Sequence, residues 1–258
     1  MFLIPMSRQA VYELSQYPLH SGIFPMGLLQ HFFKNVFKDE SYLFGCNNFE
    51  QIPPKDLETH LSVACYGDFE LTEAIRPSYD LKVLPQNGYR HDFYRDSSSE
   101  KSIPVLMASV SKENLFETFL DLLDPLGSIV DVVLESSHEK TDRGHDDFYR
   151  EHIDLPVLKS NLHYYEDLLI NDGCLGIAVL NPNLPVEIQF DEHKLLIVYG
   201  ENLRPFERIF ERQNVKRNEN IRFLTEAEHI HSSRGEYVDQ FHSLQTLLGM
   251  DSPYYSYT

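Results

Sequence analysis

The stretch "IPVLMASVSKENLFETFLDLLDPLGSIVDVVLESSH", residues 103–138, decides the fold class. It opens as an apolar strand, 103–110. Ser111 stands where a helix N-cap belongs, and Val110 and Leu115 are spaced as a hydrophobic staple around it. The helix that follows carries its apolar residues at helical spacing and ends at Pro125 and Gly127. A second apolar strand then runs from Ser128 to His138. The order strand, helix, strand implies a β-α-β crossover with parallel strands.

The same order recurs downstream. "KLLIVYG" (194–200) reads as a strand, Asn202 as the cap of a helix "LRPFERIFERQ" (203–213), and "IRFLTEAEH" (221–229) as a strand. Both helices open with Glu-Asn-Leu, at 113–115 and 201–203. Two further helices repeat one stripe. Leu158, Leu162, Tyr165 and Leu169 match the spacing of Tyr237, Phe241, Leu244 and Leu248, which buries one face in each. A histidine follows the second anchor in both, His163 and His242. Between the units, "GCLGIAVLNP" and "PVEIQF" read as two strands around an Asn-Pro-Asn turn. "DEHK" (191–194) turns the chain into the next strand. These hairpins add antiparallel pairs to the parallel ones. The expected class is α+β, with a mixed sheet, helices on one face and two ferredoxin-like half-repeats, 103–190 and 191–258. The sandwich carries no function by itself.

Residues 1–102 read as a less regular N-terminal region. A helix is expected in 25–39, and short strands in 61–67 and 79–85. The polar stretch 86–102, with Asn-Gly and a serine run, reads as a closing loop or linker.

Composition narrows the partners. The 258 residues hold 40 Asp plus Glu against 22 Lys plus Arg, a formal charge of -18. Such a field repels nucleic acid and anionic membranes, so neither is an expected partner. No stretch approaches the roughly 18 apolar residues of a membrane span. The opening "MFLIPMSRQAVYELSQ" lacks the basic leader and long apolar region of a signal peptide. Cys46, Cys65 and Cys174 form neither a metal spacing nor a disulfide framework, which suits a reducing, cytoplasmic setting. The tail "SPYYSYT" presents Tyr254, Tyr255 and Tyr257, expected to pack on the chain's own surface or on a second copy in a homodimer.

The chemistry-bearing residues collect at strand ends. The two repeated strands end in "LESSH" and "LTEAEH", each containing Glu-x-x-His: Glu135 with His138, and Glu226 with His229. On an extended strand His229 and His231 share a side, with Cα atoms about 7 Å apart. His138 shares a face with Val130, Val132 and Leu134, and repeat symmetry would bring it near as a third ligand. His138, His229 and His231 are thus candidate ligands for a divalent metal. Glu135, Glu226 and Glu228 are candidates for an acid, a base or an outer hydrogen-bond partner. A second cluster, "GHDDFYREHIDLP", could fold over the strand ends and supply His152. The opposing interpretation leaves these histidines hydrogen-bonded to backbone or carboxylate, with no further role.

There is no Gly-x-Gly-x-x-Gly, no phosphate loop with Gly-Lys-Ser or Gly-Lys-Thr, no Gly-x-Ser-x-Gly elbow and no His-Glu-x-x-His. Three readings of function follow. One is a non-catalytic module that binds a small molecule or protein partner in a cleft between duplicated halves. The absent catalytic motifs favour it. The second is a metal-dependent hydrolase built on the histidine and glutamate cluster. The third is a structural protein whose polar residues only satisfy strand ends.

Overall fold

The computed structural model describes residues 52–95, 102–138 and 145–250. The helix expected at 25–39, Cys46 and the aromatic tail lie outside them.

Residues 103–138 form the elements their pattern dictates: β5 (Ser102–Ser109), α2 (Lys112–Leu123), a 3-10 turn (Asp124–Leu126) and β6 (Ile129–Ser136). Gly127 closes the turn at φ 95°, a conformation that favours glycine. Ser111 occupies the N-cap position, but its hydroxyl accepts the Glu70 backbone N–H at 3.0 Å instead of capping α2. That bond ties the short strand β2 (Phe69–Glu70), paired with β1 (Cys65–Tyr66), to the head of α2.

The main sheet has seven strands in the order β4-β5-β10-β9-β8-β6-β7. The remaining members are β4 (Gly88–Arg95), β7 (Asp146–Asp154), β8 (Leu175–Leu180), β9 (Val186–Phe190) and β10 (Leu195–Gly200). Every ladder in it is antiparallel, which corrects the expected mixed sheet. β5 and β6 do run in one direction, as a crossover helix requires, but β10, β9 and β8 lie between them. Each parallel strand therefore has antiparallel neighbours.

Apolar alternation sends Leu106, Leu196, Val198, Ile188, Val179 and Leu134 to one face, where they share a core with the helices. These are α2, α3 (Leu155–Tyr164), α4 (Glu166–Asn171), α5 (Arg204–Arg212) and α6 (Gly235–Leu247). The stripe at Leu158, Leu162, Tyr165 and Leu169 is buried as expected, though the chain breaks at Tyr165 into α3 and α4.

Two expectations about connections change. The polar stretch read as a linker contains β4, which pairs with β5 from Gly88↔Ser109 to Arg95↔Ser102, so the boundary drawn at 102 falls inside one hairpin. The segment "GHDDFYREHID" read as a loop is largely the edge strand β7. The strand expected in 61–67 is present as β1, after a helix, α1 (Pro54–Leu61), that ends at the start of the range, and 79–85 holds no strand.

The second unit departs from the first after its helix. β10 and α5 form, with Leu203 rather than Asn202 at the N-cap of α5. Residues 221–231 then leave the sheet. Arg90 Nη1 donates to Ile221 O and to Glu226 Oε1, both at 2.7 Å, and Glu226 Oε1 also takes the Phe223 N–H at 3.2 Å. Those local bonds fold Leu224–Glu226 into a 3-10 turn. Ile221 and Phe223 instead pack on Val105, Leu195, Ile197 and Tyr199 across the sheet's other face. The chain resumes as β11 (His229–His231), paired with β3 (Ile75–Pro77) in a separate two-stranded sheet.

Candidate metal centre

β11 and β3 pair antiparallel, His229 opposite Pro77 and His231 opposite Ile75. Alternation along β11 sets the two imidazoles on one side. β3 is itself held from behind. Arg76 Nε donates to Leu61 O at 2.9 Å and Nη1 to Ile75 O at 2.8 Å, and Nη1 also reaches Thr72 O.

The third imidazole comes from the hairpin turn between β9 and β10. Asp191 Oδ1 accepts the Leu195 N–H at 2.7 Å, and the Lys194 N–H bonds Asp191 O at 3.0 Å. Lys194 sits at φ 62°, a left-handed conformation uncommon outside glycine. The turn directs His193 towards β11. Ring centroids are 5.0 Å apart for His193 and His229, 4.6 Å for His193 and His231, and 5.0 Å for His229 and His231. One ring nitrogen from each lies within 4.8 Å of the others.

Each ring is oriented through Nδ1. That of His229 bonds Ala227 O at 2.8 Å, that of His231 bonds Gly173 O at 2.8 Å, and that of His193 bonds Asp191 Oδ2 at 3.0 Å. A carbonyl oxygen only accepts, so Nδ1 carries the proton in His229 and His231, and an ionised Asp191 imposes the same tautomer on His193. A neutral ring held in this way carries its lone pair on Nε2. Metal-ligating histidines are held in this manner, with the far nitrogen donating to a carboxylate or backbone carbonyl. Burial first, then the neighbouring His193 and His229, push the His231 pKa from 6.5 down to about 2. That ring is neutral at physiological pH, the form that binds a cation.

His138 does not join this triad. It follows the end of β6 on the helix-facing side, as read, with its ring 5.7 Å from that of Phe241 on α6. Its Nε2 lies 2.9 Å from Asp172 Oδ2 and its Nδ1 2.8 Å from Ser136 Oγ. Analogy between the two strands pairs it with His229, but only the first of those strands enters the main sheet. His193 takes the third place instead. The sequence showed it only as one residue of a turn; no spacing connects position 193 with 229 and 231.

The acids are also distributed differently. Glu135 points to the opposite side of β6, as alternation requires, towards Gly176, where a side chain would come within 3.2 Å of Glu135 Oε2. Burial, then the charges of Asp147, Glu192, Glu187 and Asp191, raise its pKa well above the ordinary carboxyl value. Glu226 is committed to Arg90 and the Phe223 amide. Glu228 precedes β11 and is half-buried. His152 lies at an irregularity in β7 opposite Asp131, with φ 55° and its N–H donated to Asp131 Oδ1 at 2.7 Å. Its side chain is 67% exposed, outside the triad.

A cleft lined by His193, Lys194, Leu71, Thr72, Ile75 and Thr225 reaches the triad's edge. Thr72 Oγ1, buried in it, has no hydrogen-bond partner among the described residues. Lys194 Nζ donates to Leu175 O at 2.9 Å and lies 5.2 Å from the Phe190 ring centroid. Burial lowers its pKa to about 8, against the raising charges of Asp172, Asp191 and Glu192.

Compared with protein-family models, curated proteins and solved structures, the chain matches none. Among the described residues, no helix is long and apolar enough to cross a membrane.

Proposed function

We propose that this chain is a divalent-metal protein whose ion is held by His193, His229 and His231. One observation carries the reading: three imidazoles from two separate elements converge with each Nδ1 bonded to a backbone carbonyl or a carboxylate. Histidines that only satisfy strand ends need no such convergence of three rings, at 4.6 to 5.0 Å between centroids. Imidazole nitrogen suits zinc, copper, iron or nickel better than magnesium or calcium. The ligand-binding module expected from sequence thus becomes a metal-binding one, its opening beside β3 in place of a cleft between duplicated halves.

A second reading, the metal-dependent hydrolase, is favoured by the ligand count and the adjoining cleft. Three protein ligands leave a position for water, which is the pattern of catalytic zinc, whereas structural zinc is closed by four. A zinc-bound water ionises near pH 7 and can attack a carbonyl or phosphoryl group. The cleft beside His193, with the Thr72 hydroxyl, has room for a water molecule.

The test is zinc binding to chelator-stripped, full-length protein, followed by elemental analysis and thermal melts. Zinc at 100 times its dissociation constant should stabilise the fold by about 2.7 kcal/mol, which raises the melting temperature by roughly 5–10 °C in a chain of this size. His229→Ala and His231→Ala should each remove that rise, and His152→Ala should leave it intact. A melt indifferent to zinc and to chelator would refute the site.

A further inference from the structure

A second group of ligating atoms lies on the other side of Gly173. We infer that His138, Asp172 and Cys174 form a second cation site, for a thiophilic divalent ion of the zinc class, distinct from the histidine triad. It stands on its own geometry and does not depend on the first site being filled.

One ligand atom from each of the three residues lies within 4.8 Å of the others. The backbone holds them there. β6 and β8 pair through Ser136↔Leu175, and the ladder extends one step as the Ser137 N–H donates to Cys174 O at 3.0 Å. Asp172 Oδ1 accepts the Cys174 N–H at 3.1 Å, which folds the Asp172–Cys174 arm back towards His138.

The decisive detail is the second oxygen of Asp172. The residue is completely buried. His138 Nε2 lies 2.9 Å from this oxygen, Oδ2, and pairs with it. A fully buried carboxylate needs a positive partner, a proton or a metal ion, to offset its lost hydration. Nε2 and Oδ2 at this range are placed to share a metal ion in place of a proton. Atoms bonded at about 2.1 Å to a tetrahedral ion sit roughly 3.4 Å apart.

The buried Lys194 interacts with the charges of Asp172 and Cys174, and the donor set itself suits a cation. His138 Nδ1 bonds Ser136 Oγ at 2.8 Å, which orients the ring with Nε2 towards Asp172. Cysteine thiolate with imidazole and carboxylate is a zinc-type donor set, as cysteine is rarely a ligand for the hard ions. Cys174 is unsuited to nucleophilic work: burial, then the charges of Asp172 and Glu192, hold its thiol above the ordinary value. A bound ion reverses that, because coordination deprotonates the thiol.

The two sites meet at the Asp172–Cys174 arm. Gly173 O accepts Nδ1–H of His231 in the triad, while its two neighbours are ligands of the second site.

Cobalt(II) titration of the chelator-stripped, full-length protein tests the proposal, because cobalt bound to thiolate gives an intense sulfur-to-metal absorption in the near ultraviolet. Wild type should bind two equivalents and develop that absorption. Cys174→Ser, which keeps the shape of the side chain, should lose the absorption and one equivalent. Asp172→Asn, a second variant of conserved shape, should weaken the absorbing site at least tenfold. His193→Ala should keep the absorption while losing the other equivalent. Cobalt bound without the absorption, or an absorption that survives Cys174→Ser, would overturn the second site. Failure of the triad reads separately, as loss of the non-absorbing equivalent from the wild type.

Discussion

Gly173 is the residue on which both clusters rest. A Cβ built there would meet Ala74 O at 2.4 Å and Ser232 O at 2.8 Å, both backbone atoms that cannot swing aside. Its amide donates to Ser232 O and its carbonyl fixes the His231 tautomer. Gly173→Ala should therefore destabilise the protein by about 1–3 kcal/mol, the usual range for overpacking. It should also weaken zinc binding, because the His231 ring loses its anchored acceptor. Denaturant unfolding with and without zinc measures both effects. At this scale the sequence was half legible. The pair His229 and His231 followed from alternation alone. His193 did not, because its approach depends on a turn whose left-handed Lys194 no local pattern announces. The tautomers were equally out of reach, since they are set by the carbonyls of Ala227 and Gly173 and a carboxylate two residues before His193.

At the scale of elements, most strands and helices after Ile103 were readable, because apolar alternation and helical spacing are local properties. The misread segments have polar faces. β4, "GYRHDFYR", and β7, "DDFYREHID", are the two edge strands of the sheet, and edges carry charge to discourage pairing with other chains. A strand read by its apolar content is then taken for a loop. The 221–231 segment fails for a different reason. Its alternation is strand-like, but Arg90 and Glu226 occupy the backbone groups a ladder would use. A prediction about pH belongs to β9. Burial raises the pKa of Glu187 from 4.5 to about 7, with the bond from Gln189 Nε2 at 2.6 Å acting against it. The folded state therefore holds this proton more tightly than the unfolded chain. Its stabilising share is complete below pH 4.5 and is lost as pH rises towards 7. Glu187→Gln should flatten stability between those values and make the protein firmer than wild type at pH 8. Melts across that range check the sign.

For the whole molecule, the sheet order determines what can meet. β8 and β9 lie next to each other and run antiparallel, so the start of β8, preceded by the Asp172–Cys174 arm, and the β9–β10 turn with His193 arrive at one end of the strands. β11 covers that end through its pairing with β3, which comes from the N-terminal region expected to be packed on or linked to the rest. The full-length ladder between β4 and β5 makes residues 88–95 part of the same sheet as everything that follows. We expect one cooperative unfolding transition. Leu106→Ala on β5 and Leu134→Ala on β6, both fully buried in the shared core, should each lower it by about 2–5 kcal/mol. Separate transitions for the two variants would divide the fold. The overall α+β class was readable because packing helices on one sheet face leaves a periodic trace. The antiparallel order was not, because strand neighbours are chosen by long-range pairing that a β-α-β pattern leaves open.

Nitrogen-15 NMR of the histidine rings tests the metal triad most directly. Before zinc is added, His193, His229 and His231 should each show the neutral tautomer with a protonated Nδ1. On saturation their Nε2 resonances should move together, with Nδ1 still protonated, while His152 stays where it was. Nε2 resonances of those three that do not respond to zinc would contradict the account.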